Sequence, residues 1–150
     1  MNSWWRQPEN GGQITLLLRR KRIRLLAWKS SEIWANNTEW IKKIETSQRG
    51  EYVTSALTLY ETLVIMGGLT GKNLRDKNFV QQVITPITSI KGLTIEPLKS
   101  EDFKKGADLM NEYKLDYEDS LHLAVAIRTG AQEIISNDKD FDATQIKRTM

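Results

Sequence analysis

The stretch Leu115-Asp-Tyr-Glu-Asp-Ser-Leu-His-Leu-Ala-Val-Ala-Ile-Arg-Thr-Gly130, followed directly by Ala131-Gln-Glu-Ile-Ile-Ser-Asn-Asp-Lys-Asp-Phe-Asp142, decides the fold. Its first half predicts a helix, because apolar residues recur at helical intervals, acids occupy the first turn, and Gly130 suits a left-handed helix end. Its second half predicts a short buried strand, Glu133 to Ser136, that ends in an aspartate-rich turn. In open parallel sheets ligands bind beyond the carboxyl ends of the strands, so the turn is a candidate site.

The rest of the chain alternates in the same way between candidate strands and helices. In order, it predicts a first strand at Ile14–Leu18, a helix from Ser30 or Ser31 to about Ser47, a strand at Glu51–Thr54, a helix from Ser55 to Met66 stopped by Gly67-Gly68, a helix from Leu74 to Ile90 broken at Pro86, a strand at Leu93–Leu98, and a helix capped by Ser100 that ends near Tyr113. Strands separated by helices predict a three-layer α/β/α sandwich around a mostly parallel sheet, and the length of 150 residues predicts one domain.

Composition places the chain among ordinary globular proteins. No apolar run approaches the roughly 20 residues of a membrane span, so no membrane partner is expected. The chain has no cysteine, which excludes disulfides and thiolate metal sites and predicts a reducing, cytoplasmic location. Charge is uneven: residues 1–49 carry ten Lys/Arg and four Glu, a balance of +6, whereas residues 50–150 carry twelve Lys/Arg and fifteen acids, a balance of −3.

Three acids are candidate metal ligands because of their positions. Glu61 lies on the helix after the Glu51–Thr54 strand, Asp119 in the first turn of the later helix, and Asp138 just after the last strand of the opening stretch. If the sheet is parallel, all three can converge at one edge and bind a hard cation through oxygen. The alternatives are a capping residue for Asp119, a solvated helix residue for Glu61 and a turn residue for Asp138.

His122, the only histidine, shares a helix face with Asp119. We interpret it as a structural histidine, because no second histidine, cysteine or serine arrangement accompanies it.

The segments Tyr117-Glu-Asp-Ser-Leu-His-Leu-Ala-Val-Ala126, Gly130-Ala131 and Ile134-Ile-Ser-Asn-Asp-Lys-Asp-Phe141 resemble the C-terminal motif of PIN domains. These are the metal-dependent ribonuclease domains of VapC-type toxins and of RNA-processing factors. Tyr52-Val-Thr-Ser-Ala-Leu-Thr-Leu-Tyr-Glu61 resembles the family's second strand and the helix that bears its second acid, so the resemblance covers about residues 45–148.

The resemblance implies a site and a function. Glu61, Asp119 and Asp138 would be three of the family's four metal-site acids, Ser136 would occupy the small-hydroxyl position beside the last one, and Asp142 would be peripheral. A Mg²⁺- or Mn²⁺-dependent ribonuclease is expected, with RNA as substrate. A toxin role would add an antitoxin partner and a homodimer. The alternative is a catalytically impaired PIN-like module that binds RNA or a protein without cleavage.

The first acid of the family is missing. PIN domains open with a hydrophobic strand that ends in Asp, whereas the first aspartate of this chain is Asp76 and an arginine run lies near the expected position. Three explanations compete: a shifted reading frame in about residues 1–30, a degenerate member that binds without cleaving, or substitution by another acid such as Glu32. Residues 1–30 could also be disordered. We favour the shifted frame, which predicts an Asp-ending strand in another frame of the gene, within about 30 codons upstream of residue 31.

Overall fold

The computed structural model of the protein describes residues 24–26 and 38–149. Five strands form one sheet, and every neighbouring pair in it is parallel. The strands are β1 (Arg24–Leu26), β2 (Tyr52–Ser55), β3 (Leu93–Glu96), β4 (Glu133–Ile135) and β5 (Lys147–Thr149), in the order β3-β2-β1-β4-β5. Within the described residues, five α-helices accompany them: α1 (Thr38–Glu45), α2 (Leu57–Thr70), α3 (Lys77–Thr88), α4 (Ser100–Tyr113) and α5 (Tyr117–Thr129).

Alternation along the strands explains the three layers. Val53 and Ile134 contribute to a core with α4 and α5, which includes Leu109, Leu123 and Val125. Their neighbours Tyr52 and Ile135 join Ile44 of α1 in a second cluster. Successive side chains of a strand point to opposite faces of a sheet, so the two clusters lie on opposite faces. The predicted α/β/α sandwich with a parallel sheet is confirmed.

The β1 strand occupies the centre of the sheet. Arg24 to Leu26 pair with Tyr52 to Thr54 on one side and with Glu133 to Ile135 on the other. The carboxyl ends of β2, β1 and β4 therefore lie at one edge, which is where a ligand site is expected in this type of sheet. The predicted strand Ile14–Leu18 and the predicted helix start at Ser30 or Ser31 lie outside the described residues.

Two helix ends differ from the sequence prediction. Gly67 and Gly68 lie inside α2, and the helix ends at Gly71, whose φ of 68° is the left-handed conformation that favours glycine. The third helix begins only at Lys77, because the Asp76 side chain accepts hydrogen bonds from the N–H groups of Asn78 and Phe79. Pro86 lies within its last turns, and the helix continues to Thr88.

Other boundaries agree to within one or two residues. Tyr117 opens α5 after the N-cap Asp116, and Gly130, with a φ of 71°, ends it as the sequence predicts. Ser55 Oγ accepts a hydrogen bond from the Leu57 N–H at the start of α2. Among the described helices none is long and apolar enough to cross a membrane.

Candidate metal centre

Three aspartates converge beyond the carboxyl end of β4. One carboxylate oxygen from each of Asp119, Asp138 and Asp140 lies within 4.8 Å of the other two. Asp119 is buried, Asp138 is half-buried and Asp140 is exposed, so the group runs from the protein interior to the surface. We call these three residues the aspartate cluster.

The turn after β4 fixes two members of the aspartate cluster. Asp138 is the N-cap of a short 3₁₀ helix (Lys139–Ala143), and its Oδ1 accepts a hydrogen bond of 2.9 Å from the Asp140 N–H. The Asp138 N–H in turn donates to Ser136 Oγ at 3.1 Å. Ser136 is fully buried, so its hydroxyl ties the turn to the end of the strand. The predicted Ser136 position beside Asp138 is therefore a positioning contact through the backbone.

The third member is held by the start of α5. Asp116 Oδ1 accepts a hydrogen bond of 2.8 Å from the Asp119 N–H, which makes Asp116 the N-cap. Asp119 is 4% exposed, and it projects a carboxylate oxygen into the aspartate cluster. A carboxylate at the N-terminus of a helix is favoured by the helix dipole, which partly compensates for its burial.

Glu61 contacts the helix that carries Asp119. Its Oε2 lies 2.9 Å from Nε2 of His122, and both side chains are largely buried, with exposed fractions of 13% and 3%. His122 follows Asp119 by three residues, and residues three apart on a helix are surface neighbours. Glu61 thus contacts the face of α5 that also carries Asp119. Among the described residues, Glu61 is not a member of the cluster.

Glu118 is a like-charged neighbour of Glu61. Burial raises the pKa of Glu118, and the charge of Glu61 and a hydrogen bond with it raise the pKa further, while His122 acts in the opposite direction. Two carboxylates that face each other disfavour their common ionised state. The interacting carboxyl groups of Glu61 and Glu118 thus meet at the start of α5, the helix whose first turn also carries Asp119.

Asp142 belongs to a separate ion pair. Its two carboxylate oxygens accept hydrogen bonds from Nε and Nη2 of Arg148 at 2.6 and 3.2 Å, and Arg148 Nη1 also donates to the Ser136 carbonyl. The hydrogen bond with Arg148 holds the pKa of Asp142 below its ordinary value. The sequence analysis placed this residue at the periphery. Its partner Arg148 ties β5 to the end of β4.

Asp140 is the cluster member not predicted as a metal ligand, because the sequence indicates only an aspartate-rich turn there. The available signal is its position two residues after Asp138, in the same turn. Only the fold shows that this brings Asp140 toward Asp119 as well.

The first strand ends without an acid. Ala27 follows Leu26 directly in the sequence, and the next acid along the chain is Glu32. The donors that the described site offers are carboxylate oxygens, while the chain has no cysteine and its one imidazole is engaged by Glu61. Such a donor set fits a hard divalent cation such as Mg²⁺ or Mn²⁺ better than zinc.

Comparison with known proteins settles the family. The family model of the PIN domain matches residues 25–147, which is most of the chain. The chain belongs to the PIN domain family. The match extends the resemblance from about residue 45 upstream to residue 25, so the PIN domain includes β1 and α1.

Two solved structures share the fold. PAE2754 from Pyrobaculum aerophilum superposes with a TM-score of 0.60 at 16% sequence identity, over 84% of this chain and 88% of its own. VapC20 of Mycobacterium tuberculosis, a toxin that cleaves the sarcin-ricin loop, superposes with a TM-score of 0.57 at 16% identity, over 82% of this chain and 95% of its own. At this identity the likeness concerns the fold alone. No curated protein matches the chain in sequence.

Proposed function

We propose that this PIN domain is a Mg²⁺- or Mn²⁺-dependent ribonuclease. The observation that carries the proposal is the approach of three carboxylates, from Asp119, Asp138 and Asp140, to within 4.8 Å of one another at the ligand-binding edge of the sheet. Like charges at this spacing repel one another, and a divalent cation between them would turn the repulsion into attraction. The family supports the choice of substrate class, an RNA phosphodiester.

The residues would divide the work as follows. The oxygen ligands of the cation would come from Asp119, Asp138 and Asp140. Glu61 would act through water, because its carboxylate bonds His122 and does not join the cluster. When bound, the cation would supply an activated water for hydrolysis of the phosphodiester. Ser136 would keep Asp138 in place through the backbone contact described above.

The test combines cleavage with metal binding. A structured RNA is incubated with the protein in Mn²⁺ or Mg²⁺, and Mn²⁺ binding is measured separately by calorimetry. We expect Asp119→Asn to abolish cleavage and to weaken Mn²⁺ binding by at least about tenfold, as does the loss of a charged ligand in general. Asp108→Asn, the same change at an exposed position of α4, is the matched control and retains both. Equal behaviour of the two variants, or cleavage that persists in EDTA, would contradict the proposal.

A second candidate is a PIN domain that binds RNA or a protein partner without cleaving. The observation in its favour is Ala27, which follows β1 where the family resemblance implies the first acid. With one carboxylate fewer, the site holds a cation less strongly. A folded protein that retains RNA in a filter-binding assay but leaves it intact at saturating Mn²⁺ would favour this candidate.

We also propose that the protein forms a homodimer through α2. This helix carries a single charged residue, Glu61, and exposes the apolar side chains of Tyr60, Val64 and Leu69. A helix that is apolar on several sides is typical of an interface, and a two-fold axis lets one such helix pack against its own copy. Val64→Glu is expected to give a monomer by light scattering, whereas Met110→Glu, an exposed apolar position on α4, is expected to leave the dimer intact. A wild-type monomer at high concentration would contradict this proposal.

A toxin role would require an antitoxin that blocks the aspartate cluster. The common fold with VapC20 supports this proposal. Growth arrest on expression in a host cell, relieved in the Asp119→Asn variant, is the expected result. Unimpaired growth would argue for an RNA-processing role instead.

A further inference from the structure

The surroundings of the contact between His122 and Glu61 determine which of the two groups donates the hydrogen bond. Nε2 of His122 faces the Glu61 carboxylate at 2.9 Å, whereas Nδ1 is buried and has no hydrogen-bond partner among the described residues. A neutral imidazole carries one proton, and a carboxylate only accepts hydrogen bonds when it is ionised. The proton therefore belongs on Nε2, which donates to Glu61 Oε2. The opposite tautomer would bury an unsatisfied N–H and place two acceptors face to face.

The packing around the imidazole fixes its direction. His122 is 2% exposed and lies in a run of buried residues, Asp119 to Ala126, on α5. A buried side chain in a close-packed core has little freedom to change rotamer. The Nε2–H group is thus a fixed donor at the border between the core and the acidic edge, one helical turn from Asp119.

Glu61 needs such a donor to stay where it is. It is a side chain of α2, its neighbour Glu118 on α5 has the same charge, and Asp119 lies on the same face of α5 as His122, three residues earlier. These charges repel the Glu61 carboxylate, and a long glutamate side chain could turn toward solvent. A donor on the same helix as Asp119 counteracts that repulsion.

We propose that His122 is a positioning residue of the metal site, which holds the Glu61 carboxylate beside the aspartate cluster by donating the Nε2–H hydrogen bond. The inference rests on the proposed function and deepens it, because it assigns a role to a histidine that is neither a metal ligand nor an acid–base catalyst. Contacts of this kind orient the groups around a metal, and their loss lowers metal affinity by about 10- to 100-fold in known sites.

The first experiment uses variants that separate the hydrogen bond from the packing. His122→Leu removes the donor, and His122→Gln restores an amide N–H at similar length. Mn²⁺ affinity is measured by calorimetry for both, in the wild-type background and in Glu61→Ala, which removes the hydrogen-bond acceptor that a glutamine would keep. We expect the Leu variant to bind Mn²⁺ about tenfold more weakly in the wild-type background and without further loss in Glu61→Ala, and the Gln variant to recover most of the affinity. An equal loss in both backgrounds, or no recovery with Gln, would overturn the proposal.

A second measurement needs no substitution of His122 and holds if the Leu variant fails to fold. His122 is the only histidine of the chain, so its two ring nitrogens give isolated signals in a ¹⁵N-labelled protein without a tag. We expect the Nε2–H tautomer in the metal-free protein, and a shift of its signals in Glu61→Gln and on addition of Mg²⁺. An Nδ1–H tautomer, or signals that ignore Glu61→Gln, would overturn the inference. If the tautomer is as expected but no metal binds, the proposed function fails while the Glu61–His122 contact stands.

Discussion

At the scale of single residues, neighbouring acids in one short segment have different roles. Asp138, Asp140 and Asp142 alternate along the turn after β4, yet only the first two join Asp119, whereas Asp142 pairs with Arg148. Sequence spacing alone could not separate them, because all three suit a turn. What distinguishes Asp142 in the folded chain is its pair of hydrogen bonds with the Arg148 guanidinium of β5.

Because of this difference, the same substitution of aspartate by asparagine should affect metal binding differently at Asp140 and at Asp142. Asp140→Asn removes a charge from the aspartate cluster, so we expect weaker Mn²⁺ binding with little change in thermal stability, since Asp140 is exposed. Asp142→Asn breaks an exposed ion pair, which contributes little to stability, and leaves the cluster complete. Calorimetric Mn²⁺ titration of both variants is the measurement. Weaker binding in Asp142→Asn than in Asp140→Asn would reverse the assignment.

Glu118 gives a prediction about pH. Burial and the charge of Glu61 raise the pKa of Glu118 in the folded protein above its value in the unfolded chain, so its ionisation at neutral pH costs stability. Glu118→Gln removes this cost, and because Glu118 is exposed and solvent screens its charge, we expect only a slightly higher melting temperature than wild type at pH 7. The difference should disappear as the pH falls below about 4.3, where the carboxyl is protonated in the unfolded chain too. Melting curves of wild type and Glu118→Gln at pH 7 and pH 4 test this. An increase in melting temperature that is as large at pH 4 as at pH 7 would point to another cause.

At the scale of elements, Arg128 joins three parts of the fold. From the last turn of α5 it donates through Nε and Nη2 to both oxygens of Asp102 in α4, at 2.8 and 3.0 Å, and through Nη2 to the Pro97 carbonyl after β3. Glu96 lies within 3.4 Å of its Nη1. Bidentate pairs of this kind define an orientation as well as a distance, so Arg128 sets how α4 and α5 lie against the end of β3.

We expect Asp102→Asn to destabilise the protein by about 2–4 kcal/mol, because the Asp102 side chain is 3% exposed and Arg128 loses the charge of this buried bidentate partner, keeping only Glu96 as an acidic neighbour. Burial alone would raise the pKa of Asp102, but the hydrogen bonds from Arg128 and the Lys99 N–H outweigh it and hold the pKa below its ordinary value. The stability from this pair is thus complete above about pH 4 and is lost only as the pH falls through the lower, folded-state pKa. Urea denaturation of wild type and variant at pH 7 and pH 3 measures both effects. A wild-type loss of stability already at pH 6 would have a different origin.

Gly92, in the turn before β3, packs closely against the end of α1. Its φ is +82°, and a Cβ at this position would collide with the Ile44 carbonyl and the Ser47 hydroxyl at the end of α1. Gly92→Ala therefore combines backbone strain with a clash against backbone, and we expect a loss of about 2–4 kcal/mol. Gly50→Ala, at a positive φ with open space around it, is the control and should cost about 1 kcal/mol. Chemical denaturation compares them; equal losses would show that the clash relaxes.

The helix boundaries can be predicted from the sequence where local preferences and tertiary packing favour the same end point. The stretch Leu115–Gly130 is predicted nearly to the residue, because capping, periodicity and the glycine end all coincide in α5. The sequence predicts that Gly67-Gly68 stops the preceding helix, yet α2 continues through both residues. A Cβ at Gly67 would lie close to the Lys72 carbonyl and Phe79, so the glycine here allows close packing. Local propensity could not reveal that contact with the start of α3.

At the scale of the whole molecule, the least family-like part of the sequence contributes the central strand. Arg24 to Leu26 lie between β2 and β4, although the neighbouring arginine run made a strand here unattractive from sequence alone. The signal for this strand is its pairing with both neighbours, which no local pattern contains. The site prediction had the same limit: Asp119 and Asp138 were placed by motif, whereas the Asp140 contribution depended on three-dimensional proximity.

The extent of the family match also bears on the missing acid. A shifted frame was the preferred explanation, and the family match already begins at residue 25. A shift that ended before residue 25 would still leave Ala27 after β1, so we now propose that the chain is a member that has lost its first acid. The gene itself tests the choice: an Asp-ending strand in another frame upstream of residue 31 would restore the earlier explanation.

A member that has lost its first acid is expected to regain metal affinity when that acid is restored. Position 27 directly follows β1, whose end is aligned with Ile135, and Asp138 lies three residues beyond Ile135. A carboxylate introduced there adds one negative charge to the edge that carries the aspartate cluster, so Ala27→Asp is expected to raise Mn²⁺ affinity by about tenfold or more and to increase RNA cleavage. Ala107→Asp, the same substitution at an exposed position of α4, should change neither. A gain in both variants would be a general charge effect, and tighter Mn²⁺ binding in Ala27→Asp without faster cleavage would show that the domain lacks more than its first ligand.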